Sequence, residues 1–176
     1  AEVKSSNKFD TRPLKEILRR GARMHRRGEL NLASAAALTV EADINEDGTL
    51  AAPQISFTGG DAALKNFAHE FVAALNESRV FGALEGVRHV RLNLALDGQN
   101  FDADALATAA TPEQAERLSS GYNTLLQLAR IARRNRPESV VYNNMTVSSS
   151  GKQLSLKLDM TREALGNLLS RHVTPN

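Results

Sequence analysis

Residues 36–96 read AALTVEADINEDGTLAAPQISFTGGDAALKNFAHEFVAALNESRVFGALEGVRHVRLNLAL, and this stretch decides the fold. Leu38, Val40, Ala42 and Ile44 alternate with Thr39, Glu41 and Asp43, so the first set shares one face of a pleated strand. Asn45-Glu46-Asp47-Gly48 predicts a turn, because Gly accepts positive φ and Asn and Asp bond their own backbone. A second strand follows through Ile55 and Phe57 until Gly59-Gly60 breaks it. Asp61 is placed to cap a helix whose apolar stripe is Leu64, Phe67, Ala68, Phe71, Val72 and Leu75. Each large member of that stripe contributes about 1.5–3 kcal/mol when fully buried. Gly86 restarts the chain, and Val90, Leu92, Leu94 and Leu96 alternate again. A helix laid on a small antiparallel sheet is the economical arrangement of these parts.

Working outward, Asp10 or Thr11 followed by Pro13 predicts a helix start, and Gly28 its stop. Beyond Leu96, Asp97-Gly98 predicts a two-residue hairpin into a strand with Phe101, Ala103, Ala105 and Ala107 inward and Asp102 and Asp104 outward. Thr111-Pro112-Glu113-Gln114 predicts a capped helix, with Gln114 reaching back as a capping box. Its apolar positions are Leu118, Tyr122, Leu125, Ala129 and Ala132, and Pro137 stops it. Met145 and Val147, then Leu154, Leu156, Leu158 and Met160, alternate on either side of Ser150-Gly151. Thr161 caps a last helix carrying Leu165, Leu168 and Leu169.

The expected class is therefore α+β: an antiparallel sheet of about six strands with helices packed on one face, in the order α-ββαβ-βαββα. We expect a single domain over residues 1–176, with a basic helical lead-in (1–34), a ββαβ unit (35–96) and a βαββα unit (97–176) continuing the sheet. The two halves contain the same parts in mirrored order, without self-similarity in sequence.

At 176 residues the chain can bury a core without staples, and with no Cys it offers neither disulfide nor thiolate metal ligand. Lack of Trp and scarcity of aromatics argue against a stacking platform for bases or sugars. No apolar run approaches the roughly 20 residues of a membrane span. Net charge is +2, yet Arg12, Lys15, Arg19, Arg20, Arg23, Arg26 and Arg27 against Glu16 give one segment +6, leaving −4 for the rest.

Asp43, Asn45, Asp47 and Gly48 match the start of a calcium loop, but position twelve is Gln54 rather than a bidentate Glu, which favours a hairpin turn. His69-Glu70 opens like a zincin helix, but Ala73 stands where the second His would be. Ser148-Ser149-Ser150-Gly151-Lys152 lies between alternating strands and reads as a hairpin, not a phosphate loop. No cofactor is expected and no enzyme chemistry is indicated. The candidate partner-binding residues are Arg19, Arg20, Arg23, Arg26 and Arg27, which suit an anionic partner. Arg130, Arg133, Arg134 and Arg136 form a second cluster. Both clusters also suit plain solvation and the helix C-terminal dipole.

The ββαβ unit resembles the C-terminal domain of the TonB/TolA energy-transducer superfamily. Val40-Glu41-Ala42-Asp43-Ile44, Glu46-Asp47-Gly48-Thr49-Leu50, Thr58-Gly59-Gly60 and the Ala-rich helix with Ala63-Leu64, Ala68 and Ala73-Ala74-Leu75 carry it. The family's Tyr-Pro pair before the first strand and the Trp-bearing end of its helix are missing. The resemblance implies a non-enzymatic protein-interaction domain of the bacterial cell envelope. It would be periplasmic and held to the membrane through a segment upstream of residue 1. A start at Ala1 rather than Met fits removal of such a segment. Its partners would be envelope proteins. The charge pattern gives the alternative, a binder of nucleic acid or of an anionic membrane surface through the Arg-rich N-terminal helix, with nucleic acid the less favoured of the two. Family members pair with a receptor along an exposed strand, but here the third strand should be covered by its hairpin partner. An uncovered edge strand elsewhere could pair with a second copy.

Overall fold

A computed structural model describes residues 10–171. The elements are α1 (Arg12–Arg26), β1 (Ala36–Ile44), β2 (Leu50–Gly59), α2 (Ala62–Ser78), a 3-10 turn (Val80–Ala83), β3 (His89–Leu96), β4 (Asn100–Thr108), α3 (Pro112–Ala132), α4 (Ser139–Asn143), β5 (Met145–Ser150), β6 (Gln153–Thr161) and α5 (Arg162–Arg171). The class, strand count and order are those the periodicity predicts; α4, a single turn and a half, is an addition that its five residues were too short to signal.

All six strands join one antiparallel sheet in the order β2-β1-β3-β4-β6-β5. Residues directly opposite in an antiparallel pair share a face, so the register sorts the side chains into rows. One face carries Ala42–Val90–Ala107–Leu154, Val40–Leu92–Ala105–Leu156 and Leu38–Leu94–Ala103–Leu158. The other carries Glu41–Arg91, Asn93–Asp104–Lys157 and Ala95–Asp102–Asp159. The apolar face packs against α2 through Ala68 and Val72, and against α3 through Ala115. The helices therefore lie on one side and the polar rows face out.

β3 lies between β1 and β4, so neither of its edges is free. The open edges are β2 and β5. β2 is blunted by a register shift opposite Glu41–Asp43, where Ala52 has φ 42° and Pro53 supplies no N–H.

The β2-to-β3 and β4-to-β5 connections both skip one strand and both move the same way across the sheet. They leave from strands of opposite direction, yet their helices lie on the same face. Their hands are therefore opposite, and one of them departs from the right-handed rule for such crossovers.

Two turn details differ from expectation. The β3–β4 hairpin centres on Gly98-Gln99, one residue later than predicted. Asp97 accepts from the backbone N–H of Gln99 and Asn100, each at 2.7 Å, and that side-chain turn shifts the corner past it. Gln114 does not close a capping box on Thr111. Its Oε1 accepts from Ala110 N–H at 3.0 Å and its Nε2 donates to Glu85 C=O at 2.8 Å, tying α3 to the preceding loop. The caps themselves hold: Asp61 accepts from Leu64 N–H at 2.8 Å, Thr111 from Gln114 N–H at 3.2 Å, and Thr161 from Ala164 N–H at 3.1 Å.

Candidate functional site

The basic helix α1 packs on α2 through Ile17, Gly21 and Ala22, all buried. Gly21 permits the close approach: a Cβ there would stand 2.7 Å from the Phe67 ring. This docking turns Arg19, Arg20, Arg23, Arg26 and Arg27 outward, and all five are exposed. Arg20 pairs with Glu70 at 3.0 Å. The other four make no ion pair among the described residues. The bland pairing with acidic neighbours thus accounts for one of the five.

The second cluster is divided in use. Arg130 donates to the carbonyls of Tyr142 and Met145 at 2.8 and 2.9 Å, clamping the α3–β5 connection. Arg133 reaches Glu138 at 3.5 Å. Arg134 and Arg136 remain exposed. α1 ends beside Asp61 and Arg162, at the sheet end where β2 and β6 finish. α3 ends at that same end, where β5 begins, so both basic helix ends point the same way.

Leu125 was expected on the inner stripe of α3 and is instead 60% exposed, with Leu128 58% and Ile131 67% exposed. The reason is helical geometry. Asn123 bonds the carbonyl of Val147, and Arg130 the connection into β5, so one flank of α3 faces the sheet edge. Leu126 points down and is buried. At 3.6 residues per turn Leu125 falls on the opposite flank, while Leu128 and Ile131 stand on the crest. From Arg117 to Pro137 the chain has no acidic residue. The result is an apolar ridge among neutral polar side chains, with the exposed Arg134 and Arg136 at its C-terminal end.

Between the sheet and the helices lies a cavity of about 320 Å³. Leu, Ala and Phe side chains make up its whole lining: Leu18 from α1, Phe67 and Phe71 from α2, Leu94 and Ala103 from the sheet, and Leu165 and Leu169 from α5 among them. Its origin is a size pattern. β4 presents the small Ala103 between Leu94 of β3 and Leu158 of β6, so the floor dips there between α2 and α5. The space is open to solvent on one side and apolar throughout.

On the polar face, His89 is held between two carboxylates of β1, with Nδ1 2.9 Å from Asp43 and Nε2 3.0 Å from Glu41. The hydrogen bond to Asp43, and then that to Glu41, raise its pKa above 6.5. Asp102 faces Asp159 across the β4–β6 pair; burial and then the hydrogen bond with Asp159 raise its pKa. The calcium-like oxygens do not converge: Asp43 serves His89, while Asn45 and Asp47 both bond Thr49. His69 is exposed on α2 and its neighbour Glu70 holds Arg20. Gly151 and Lys152 form the corner of the β5–β6 hairpin.

The ridge and the cavity escaped sequence reading. The acid-free run 117–137 and the three alanines on the inner face of β4, Ala103, Ala105 and Ala107, were the signals available for them. No family model, curated protein or solved structure matches this chain.

Proposed function

We propose that this protein is a non-enzymatic interaction domain of the bacterial cell envelope, similar in role to the periplasmic part of a TonB/TolA-like transducer. The observation that carries the reading is the ridge of Leu125, Leu128 and Ile131, each more than half exposed on one helix. Contiguous exposed apolar surface in a charged rim marks an interaction site. Arg134 and Arg136 beside it select a partner with acidic flanks, such as an amphipathic helix with Asp or Glu bordering its apolar stripe. The transducer-like comparison rests on the sequence pattern of residues 36–96. Because β4 covers β3, the partner engages the helical side and not that strand.

Photo-crosslinking from position 128 in envelope fractions tests this. The expected result is a discrete adduct with an envelope protein, lost in Leu125→Ser/Ile131→Ser and weakened by Arg134→Ala/Arg136→Ala. Adducts confined to ribosomal or DNA-bound proteins, or unchanged by those substitutions, would overturn it.

A second reading, binding to an anionic membrane surface, is favoured by the exposed arginines of α1 and of α3 gathering at one end. Flotation with phosphatidylglycerol vesicles, lost at high salt and in Arg19→Ala/Arg23→Ala, would select it. Salt-dependent DNA binding through the same residues would point to nucleic acid instead.

A further inference from the structure

We propose that the cavity between the sheet centre, α2 and α5 is a binding site for the hydrocarbon chain of a lipid-like amphiphile. Its lining has no polar side chain, so it recognises only apolar surface; burial of that surface is the driving force. Its volume of about 320 Å³ falls at the lower end of small-ligand pockets, roughly 300–1,000 Å³. Three turns of helix, about 16 Å long and 10 Å across, occupy over three times that volume. A helix could therefore lay only one face over its open side, whereas a single hydrocarbon chain can enter it along its length.

Shape points the same way. The floor runs across four neighbouring strands, Leu38–Leu94–Ala103–Leu158. At about 4.8 Å per strand that is a trough of about 14 Å, the reach of a medium-length acyl chain. Its floor is lowest at Ala103, between two leucines. Leu30 and Leu32 also line a neighbouring cavity of about 790 Å³ that carries His25, Asn31 and Arg162. A polar head can therefore stay in water there while the tail lies on the sheet. This assignment is independent of the ridge: it concerns the inside of the helical layer, not its crest.

The test uses the whole chain with N-phenyl-1-naphthylamine as fluorescent reporter. We expect saturable one-site binding, displaced by dodecanol and by dodecanoate but not by butanol, and a melting temperature raised by dodecanol. Filling the trough with Ala103→Phe, or separately Ala103→Leu, should weaken reporter binding at least tenfold while unfolding stays cooperative. Leu128→Ser, on the ridge, should leave it unchanged. Absence of saturable binding or of a thermal shift in the unaltered chain overturns the proposal, as does full binding in a folded filling variant. Loss in Leu128→Ser moves the reporter to the ridge and overturns it equally. Equal displacement by dodecanol and dodecanoate assigns recognition to the chain; displacement by dodecanoate alone would instead place it at the head and sink the claim.

Discussion

The β2-β1-β3 half with α2 and the β4-β6-β5 half with α3 are built from the same parts, yet one helix is covered and the other is bare. α2 has the sheet beneath it and α1 against its outer side, so Ala74 as well as Val72 is buried. Among the described residues α3 has only the sheet and α4 against it, and its crest shows Leu125, Leu128 and Ile131 to solvent. The second half of α3 is thus apolar on its buried side at Leu126 and again on its crest. Among the described residues no second element covers that crest, which is the surface on which the proposed partner contact rests. The difference teaches that exposure here follows from which helix α1 docks on, since each helix covers the apolar face of its own three strands.

The largest test of that contrast lies within α3. Leu126→Ala removes a buried side chain and should cost about 2–5 kcal/mol in chemical denaturation. Leu125→Ala, one residue away, should stay within about 0.5 kcal/mol. Equal costs would mean that α3 is not bare in solution and that the ridge is already covered, by a second copy if the difference depends on concentration.

Next come the two mid-helix glycines. Gly21→Leu forces bulk against Phe67, where a Cβ alone would sit at 2.7 Å, and should destabilise by about 1–3 kcal/mol as α1 lifts from α2. Gly121 has nothing within 4 Å of an added Cβ, so Gly121→Ala should stabilise the isolated protein by about 0.5–1 kcal/mol. Urea denaturation of both variants checks the pair; a stabilising Gly21→Leu would mean that α1 does not use that contact.

Most of this architecture is legible from residues alone. Period-two leucines and alanines fix which face of each strand is buried, and Asp61, Thr111 and Thr161 cap because their side-chain oxygens reach amides three residues on. What is not legible depends on placement between elements. Nothing local in Leu125 separates it from Leu126; only the hydrogen bonds of Asn123 and Arg130 to the β5 side set the rotation of α3. The opposite hands of the two crossovers are likewise set by which face each helix takes, which periodicity does not encode. The five arginines of α1 were identifiable as a surface, but that Arg20 alone finds an acid depends on α2 bringing Glu70 to 3.0 Å. The cavity needs β3, β4 and β6 in register before Ala103 becomes the low point of a trough.

The halves differ on the polar face as well, by smaller amounts. In the second half Asp102 and Asp159 oppose each other, and like charges directly across a ladder destabilise. Asp102→Asn should therefore stabilise at neutral pH by about 0.2–1 kcal/mol. A carboxyl whose folded pKa is raised favours folding fully below its unfolded value of 3.8 and loses that contribution as pH rises through the folded value. The gain from Asp102→Asn should thus fade in acid. Urea midpoints at pH 3 and pH 7 measure it, and a gain that persists at pH 3 would assign the effect to something other than charge.

In the first half the corresponding surface is closed by attraction, and its effect is the smallest of these. His89 bonds Asp43 and Glu41 at once, so protonation adds a donor to a site with two acceptors waiting. Its folded pKa is raised above 6.5, and the sign follows from linkage: the stabilisation is complete below 6.5 and disappears as pH climbs through the folded value. Because the ring and both carboxylates are substantially exposed, the contribution should stay under about 1 kcal/mol and shrink with salt. The measurement is the melting temperature of the unaltered protein against His89→Gln from pH 5.5 to 8.5: the two should differ at the acid end and converge at the alkaline end. Convergence in the opposite direction would mean that the neutral ring is the form the fold holds, and the polar faces of the two halves would then differ by one repulsion alone, without the compensating attraction in the first.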